Sequence, residues 1–243
     1  MAPLDVSLIV PTLNERDNVA PLAAEAAAAL AGRRWELIFA DSASDDGTPA
    51  AVQALAAAGQ PVRLLALPRS ASLSAACIAA MAESRARLLA VCDADLQHDL
   101  AILPRLLAAL DQRADLAVGS RYVPGGSTGA GLRPHRWLLS RGATLATRLA
   151  LGVRLADPMS GFFALSPADF ERARPALAGA GFKILLDLIL ALGRPRLAEL
   201  PYVMRPRHAG RSKLGARALL AEHGLEGAGA LRRHRLGAAT GRR

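Results

Sequence analysis

"LLAVCDADLQHDL" (residues 88–100) changes character in a single step. Leu88 to Cys92 is an unbroken apolar run of strand length, and Asp93, Asp95, Gln97 and His98 follow at once. An apolar run bounded by polar turn residues reads as a strand covered on both faces. Carboxylates at i and i+2 just past such a strand are costly unless something binds them. The pair therefore raises two questions together: what sheet ends here, and what the two aspartates hold.

The same junction recurs along the first 120 residues. "VSLIV" (6–10), "WELIFA" (35–40), "VRLLAL" (62–67), "RLLAVC" (87–92) and "DLAVGS" (115–120) read as strands. Alanine-rich amphipathic stretches at 17–31, 48–58, 71–85 and 101–112 read as helices between them, with Asp17, Thr48 and Ser70 or Ser72 as helix starters. Strands alternating with helices imply a mostly parallel sheet covered on both faces. Ligands of such sheets bind beyond the carboxyl ends of the strands. The polar clusters sit at those ends: "PTLNE" after the first strand, "DSASDDGT" after the second, "DADLQH" after the fourth and "RYVPGG" after the fifth.

Past residue 121 the pattern loosens. "VPGGSTGAGLRP" (123–134) is a Gly-rich loop, and a helix is predicted over about 135–151. "DPMSGFFAL" follows, then a helix near 182–192, a strand near 197–204, the basic "RPRHAGRSKL" and a last amphipathic helix.

Bulk composition narrows the class. The chain has 243 residues, enough for one domain and a tail. No stretch offers the ~18 uninterrupted apolar residues of a membrane span, and "ILLDLILALG" (184–193) is short and interrupted by Asp187. The N-terminus lacks the basic start of a secretory signal. Cys77 and Cys92 lie in apolar segments without metal-ligand spacing, so buried free thiols are expected. Charge is uneven. Residues 1–200 hold 20 basic and 19 acidic side chains, whereas 201–243 hold 10 basic and 2 acidic. Such a block suits an anionic partner. Basic stretches interleaved with aromatics are missing, which argues against nucleic acid. His98, His135, His208, His223 and His234 read as surface or loop residues, and Trp35 and Trp137 as packing anchors.

Asp93-x-Asp95 on a sheet-end loop suits a hard divalent cation, Mg²⁺ or Mn²⁺, with Gln97 as a further oxygen donor. The competing reading is a solvated turn whose carboxylates cap the next helix. Asp41, Asp45 and Asp46 on the neighbouring strand end add weight to the cation. Arg136 and Ser140, at i and i+4 of a predicted helix, share a face suited to a phosphate.

In order, "IVPTLNERDNV", "DSASDDGT", "CDADLQH", "GSRYVPGG", "LSRGAT", "DPMSGF" and "RHAGRSKL" resemble the signposts of family 2 inverting glycosyltransferases, and within them the dolichol-phosphate (polyprenol-phosphate) mannosyltransferases. The resemblance spans about residues 6–215. It implies a GT-A-type α/β fold that binds a nucleotide sugar, with a mostly parallel central sheet flanked by helices. It implies a donor site of Pro11, Glu15, Asp41, Asp93, Ala94, Asp95, Arg121 and Lys213. The metal would be held by Asp93, Asp95 and Gln97, and the acceptor phosphate by Arg121, Arg136, Ser140 and Arg207. Asp93, Asp95, Arg121 and Lys213 would carry catalysis. The sequence departs from the family pattern at Leu13, at Ser42, at Ser72 and Ser74 in place of glycines, and at Phe163 in place of a basic residue.

The implied reaction moves a hexose, mannose from GDP-mannose first, onto a polyprenyl monophosphate with Mg²⁺ or Mn²⁺. A UDP-sugar donor carrying glucose or N-acetylglucosamine is one alternative, and a catalytically weak nucleotide-sugar-binding scaffold is another. Residues 1–215 would form the catalytic domain, and 216–243 an amphipathic helix and basic tail. The expected location is cytoplasmic and peripheral, at the inner face of the membrane, on its anionic surface or on a separate membrane protein.

Overall fold

The structure is a computed structural model that describes residues 3–129, 155–181 and 183–210. Its centre is a sheet of seven strands: β1 (Val6–Thr12), β2 (Trp35–Asp41), β3 (Val62–Ala66), β4 (Leu88–Val91), β5 (Leu116–Ser120), β6 (Phe163–Leu165) and β7 (Leu197–Pro201). Their order across the sheet is β3-β2-β1-β4-β6-β5-β7. β1, β2, β3 and β4 are parallel, with Val6 opposite Trp35 and Leu88. β5 and β7 are parallel to each other, while β6 runs antiparallel to both β4 and β5. The carboxyl ends of β1, β2, β4 and β5 therefore share one edge.

The helices are α1 (Arg16–Ala29), α2 (Thr48–Ala57), α3 (Leu73–Glu83), α4 (Leu103–Asp111, led in by a 3₁₀ turn), α5 (Pro167–Ala173) and α6 (Ile184–Leu192). Alternate strand residues point to opposite faces, so each apolar run feeds two cores. Leu8, Val10, Leu37, Phe39, Ala90 and Phe162 pack with α1, α2 and α4. Ile9, Ile38, Leu89, Val91, Val118 and Phe163 pack with α3, α5 and α6. This double cover is why the strands read as continuously apolar and not alternating. Trp35 packs against the first core as a partly buried anchor, and both cysteines are buried and free.

Two details differ from the sequence reading. The short strand β6, from "FAL", is inserted antiparallel between β4 and β5, and α5 follows it; neither was anticipated. Asp17 lies inside the first turn of α1 and Gly47 precedes Thr48 at α2, whereas Ser72 is the cap of α3, its hydroxyl accepting Ala75 N–H at 3.0 Å.

β6 brings Phe162 against β5 at Gly119. A Cβ on Gly119 would lie 2.8 Å from Phe162 Cδ1 and 3.3 Å from Ile102 Cδ1. Gly119→Ala is therefore expected to destabilise the fold by about 1–3 kcal/mol through overpacking, read as a lower denaturant midpoint with an unchanged m-value.

Candidate active site

The site starts where β4 runs out. Cys92 N–H still reaches Ile9 O at 3.1 Å, and then the chain turns away from the sheet. Leu96 takes a left-handed φ of 59°, and Asp95 Oδ1 accepts Gln97 N–H at 3.1 Å, closing a tight turn. Asn14 after β1 and Ala43 after β2 share this left-handed conformation, at φ 54° each. Non-glycine residues held there mark loops over-determined by their surroundings. Asp99 caps the following 3₁₀ turn by accepting Ala101 N–H at 3.1 Å. Asp99, and not Asp93 or Asp95, makes that cap, while Asp95 closes the turn before it.

His98 is a correction to the sequence reading. It lies in the loop but is buried, stacked on Phe162 at 5.2 Å and meeting the edge of Tyr202 at 5.6 Å. Burial lowers its pKa to about 4, against the pull of the Asp95 charge, so the ring is neutral at physiological pH. Its Nδ1 accepts Asp93 N–H at 3.1 Å, which puts the ring proton on Nε2, 3.7 Å from Asp93 Oδ2. The ring thus props the backbone of Asp93.

The Asp93 side chain is only partly exposed, at 41%. Desolvation by the cleft floor raises its pKa, with Arg121 and Arg207 opposing. Asp95 is also raised, first by burial and then by Asp93. Burial lifts both carboxyls, and the Asp93 charge lifts Asp95 further; a cation beside them would oppose both shifts. Behind Asp93 there is room only for glycine: a Cβ on Gly161 would lie 2.9 Å from both carboxylate oxygens. Gly161→Ala is expected to push that carboxylate aside and weaken Mn²⁺ binding by about 10–100-fold, as displaced supports of metal ligands do. Calorimetry with Mn²⁺, beside an unchanged circular dichroism spectrum, checks it.

The segment after β7 lies directly against this loop. Arg205 N–H bonds Gln97 O at 3.0 Å, and His208 N–H bonds Asp95 O at 3.2 Å. Gln97 Nε2 donates to Arg205 O at 3.1 Å, which turns Gln97 Oε1 towards Arg207. Arg205 grips Glu25 at 2.7 Å and also Asp99. Arg207 Nη2 reaches Asp95 Oδ2 at 2.8 Å. None of these pairings had a local signal, because their partners lie more than a hundred residues apart.

Arg121, at the end of β5, is locked in a two-pronged pair with Asp157: Nε to Oδ2 and Nη2 to Oδ1, both 2.7 Å. Burial works against its charge, but the Asp157 hydrogen bonds and charge more than offset this, so its pKa lies above the ordinary arginine value. Asp157 belongs to the "DPMSGF" signpost, and sequence reading gave it no role. Its backbone N–H and that of Ala156 bond Glu199 on β7 at 3.3 and 2.8 Å.

The remaining candidates divide. Glu15 lies between α1 and the segment after β7, with Oε2 accepting Asn18 Nδ2 at 2.7 Å, and its charge reaches Asp93. Pro11 pairs in register with Ala40, and Ala94 is buried beside Asp93. Asp41 is buried and occupied: Thr12 Oγ1 at 2.9 Å, Ser44 N at 2.8 Å and Ser44 Oγ at 2.5 Å all donate to it. It holds the loop after β2 in shape. Asp45 bonds Asn14 Nδ2 at 2.8 Å and Asp46 bonds Thr48 N at 2.9 Å, so neither turns toward Asp93 as extra acid. Ser72 Oγ donates to Gly179 O and Ser74 N–H to Gly181 O, tying α3 to the segment before α6. Ser42 and Phe163 are buried, Phe163 within the second core. Arg136, Ser140 and Lys213 lie outside the described residues, as do Trp137, the helix near 135–151 and the tail from 216 onward.

Two carboxylates and an amide oxygen are hard donors and fit Mg²⁺ or Mn²⁺. Among the described residues no group of three or more His, Cys, Asp or Glu side chains forms a metal cage. Such a set would suit an ion shared with a ligand better than a closed structural site.

A sequence model described as glycosyl transferase family 2 matches residues 7–173. The chain is 36% identical over 213 residues to the dolichol-phosphate mannosyltransferase of Pyrococcus furiosus, covering 87% of this chain and 59% of that protein. It spans, that is, little more than half the length of this relative. It is 33% identical to the enzyme of the same name from Saccharomyces cerevisiae, covering 89% of this chain and 84% of that one. The fold matches glucosyl-3-phosphoglycerate synthase of Mycobacterium tuberculosis, solved with Mn²⁺, UDP-glucose and phosphoglyceric acid, at a TM-score of 0.67 and 20% identity over 95% of this chain and 80% of that one. On these sequence matches, the chain belongs to glycosyl transferase family 2.

Proposed function

We propose that the protein transfers a hexose, mannose from GDP-mannose, onto the phosphate of a polyprenyl carrier, with Mg²⁺ or Mn²⁺ as cofactor. The observation that supports this best is the gathering of Asp93, Asp95 and Gln97 with Arg207 at one sheet edge, within reach of the Arg121 charge: oxygen donors for a cation beside a guanidinium suited to a phosphate. The similarity to dolichol-phosphate mannosyltransferases agrees with it.

A cation held by Asp93, Asp95 and Gln97 would neutralise charge on the departing nucleoside diphosphate. The chain's own part is positioning. Glu15 and Pro11 line the approach to the donor pocket. Arg207 offers a guanidinium to the acceptor phosphate, and Arg121, fixed by Asp157, keeps positive charge in the cleft so that two anionic substrates can be held together. A phosphate monoester, with its second pKa near ~6, is already mostly ionised at neutral pH. Attack therefore needs little help from a general base. The neutral, walled-in His98 fits a prop better than a proton shuttle.

Among the described residues no helix is long and apolar enough to cross a membrane. The basic block beyond residue 201 is the part we assign to an anionic membrane surface or a separate membrane protein. The deciding experiment is a screen of radiolabelled nucleotide sugars with a short polyprenyl phosphate and Mn²⁺ or Mg²⁺. Mannosyl lipid made from GDP-mannose is the expected product. Transfer only from a UDP-sugar would replace the donor, and nucleotide binding with no transfer from any sugar would reject the enzymatic reading.

A further inference from the structure

Asp95 presents its two oxygens unequally. Oδ1 accepts Gln97 N–H at 3.1 Å within the turn, while Oδ2 is held by Arg207 Nη2 at 2.8 Å. The same nitrogen stands 3.5 Å from Gln97 Oε1. Arg207 thus addresses two of the three oxygen donors assigned to the divalent cation. A metal–oxygen bond is shorter than a hydrogen bond, and two positive charges on one carboxylate oxygen repel. Each therefore weakens the hold of the other on Oδ2.

The surroundings decide which one yields. The backbone on either side of Arg207 is pinned, by Arg205 N–H on Gln97 O and by His208 N–H on Asp95 O. Arg205 is tied further by its two ion pairs. The Arg207 side chain keeps 28% of its surface exposed and has only this one-nitrogen hold on Asp95. Arg121, in contrast, is committed to both oxygens of Asp157. Of these cleft arginines, Arg207 is the one built to change partners on a fixed backbone.

We propose that Arg207 and the divalent cation are alternative partners of Asp95 and Gln97, so that loading the cation turns the Arg207 guanidinium out to the acceptor phosphate. The inference rests on the function proposed above and adds an order to it. Cation and lipid phosphate bind with positive coupling, and that coupling acts equally in both directions. An acceptor phosphate is then gripped fully only when the donor side is loaded, which discourages unproductive binding of the lipid alone.

The test is Mn²⁺ titration of the full chain and of Arg207→Gln without nucleotide, followed by paramagnetic resonance of free Mn²⁺, and repeated with saturating short polyprenyl phosphate. Arg207→Gln should bind Mn²⁺ about tenfold tighter, close to 1.4 kcal/mol, because the competing charge is gone. The unaltered protein should bind Mn²⁺ more tightly when the phosphate is present, and the variant should lose that gain. Arg207→Lys, which keeps a charge, should fall between them. Unchanged or weaker Mn²⁺ affinity in Arg207→Gln with an unaltered circular dichroism spectrum overturns the exchange, as does an equal gain from phosphate in both proteins. If Arg207→Gln does not fold, the absence of any phosphate-linked gain in the unaltered protein overturns it instead. If neither protein binds Mn²⁺, with GDP added or without it, the proposed function falls and the exchange with it. If both bind alike, only the exchange falls.

Discussion

Asp95→Asn is expected to lower sugar transfer by about a hundred- to a thousandfold, the scale seen when one preorganised electrostatic contact to a developing charge is removed. The substitution is nearly isosteric, so the turn closed by Gln97 N–H on Oδ1 keeps an acceptor. What disappears is the negative charge that Arg207 meets at Oδ2. Asp93 remains, but it is the more exposed of the two and is backed only by Gly161 and the neutral ring of His98. Asp95→Asn also strips Arg207 of its counter-ion, so lost activity has two possible sources. Mn²⁺ binding separates them: a metal ligand predicts that affinity falls with activity, whereas a purely structural partner of Arg207 predicts intact Mn²⁺ binding and a lowered denaturant midpoint. Treatment of the unaltered protein with a strong chelator is the companion measurement. Full turnover after chelation would show that the loop at 93–97 does not serve a metal.

Much of this site could be read in the sequence, for a physical reason. A parallel, doubly covered sheet writes itself as apolar runs followed by polar loops, so β1 to β5 and the loop holding Asp93 and Asp95 were visible as local pattern. β6 was not. Three residues carry no periodicity, and its antiparallel place between β4 and β5 is a tertiary choice. His98 was misread because a histidine in a polar loop looks solvated; Phe162 and Tyr202, which bury it, come from distant parts of the chain. Asp45 and Asp46 added weight to the cation reading because charge shows in a sequence, but the hydrogen bonds that occupy them, from Asn14 and Thr48, do not. The role of Arg121 was suggested by the family resemblance of its segment, yet the carboxylate that fixes it stands 36 residues away. Motifs reveal which groups are present; the pairing of those groups is set by the fold.

Asp157→Ala should be the most destabilising single change at the site, by about 3–5 kcal/mol, the cost of leaving a buried charge without its partner. Asp157 is fully buried and takes three hydrogen bonds from Arg121, two from the guanidinium at 2.7 Å and one from the backbone N–H at 3.1 Å. The arginine cannot escape by losing its proton, since a guanidinium stays charged in proteins. Nor can it easily turn outward. Its Cζ lies 5.4 Å over the Tyr122 ring, and its Nη1 is directed at Met204 Sδ. The loss should also spread, because Asp157 joins β5 to the loop before β6, and Glu199 on β7 holds that loop by two backbone N–H groups. Denaturant unfolding of Asp157→Ala measures the cost directly. Arg121→Met combined with Asp157→Leu supplies the control, since an apolar pair of similar bulk removes both charges and should recover most of the stability lost by Asp157→Ala alone. A cost below about 1 kcal/mol for Asp157→Ala, in the range of an exposed ion pair, would mean that water reaches this pair and that Arg121 is not held rigid by it. A large cost for Asp157→Ala that the double variant does not recover would place the loss in the bond between the loop and the Arg121 backbone, and not in the charge pair.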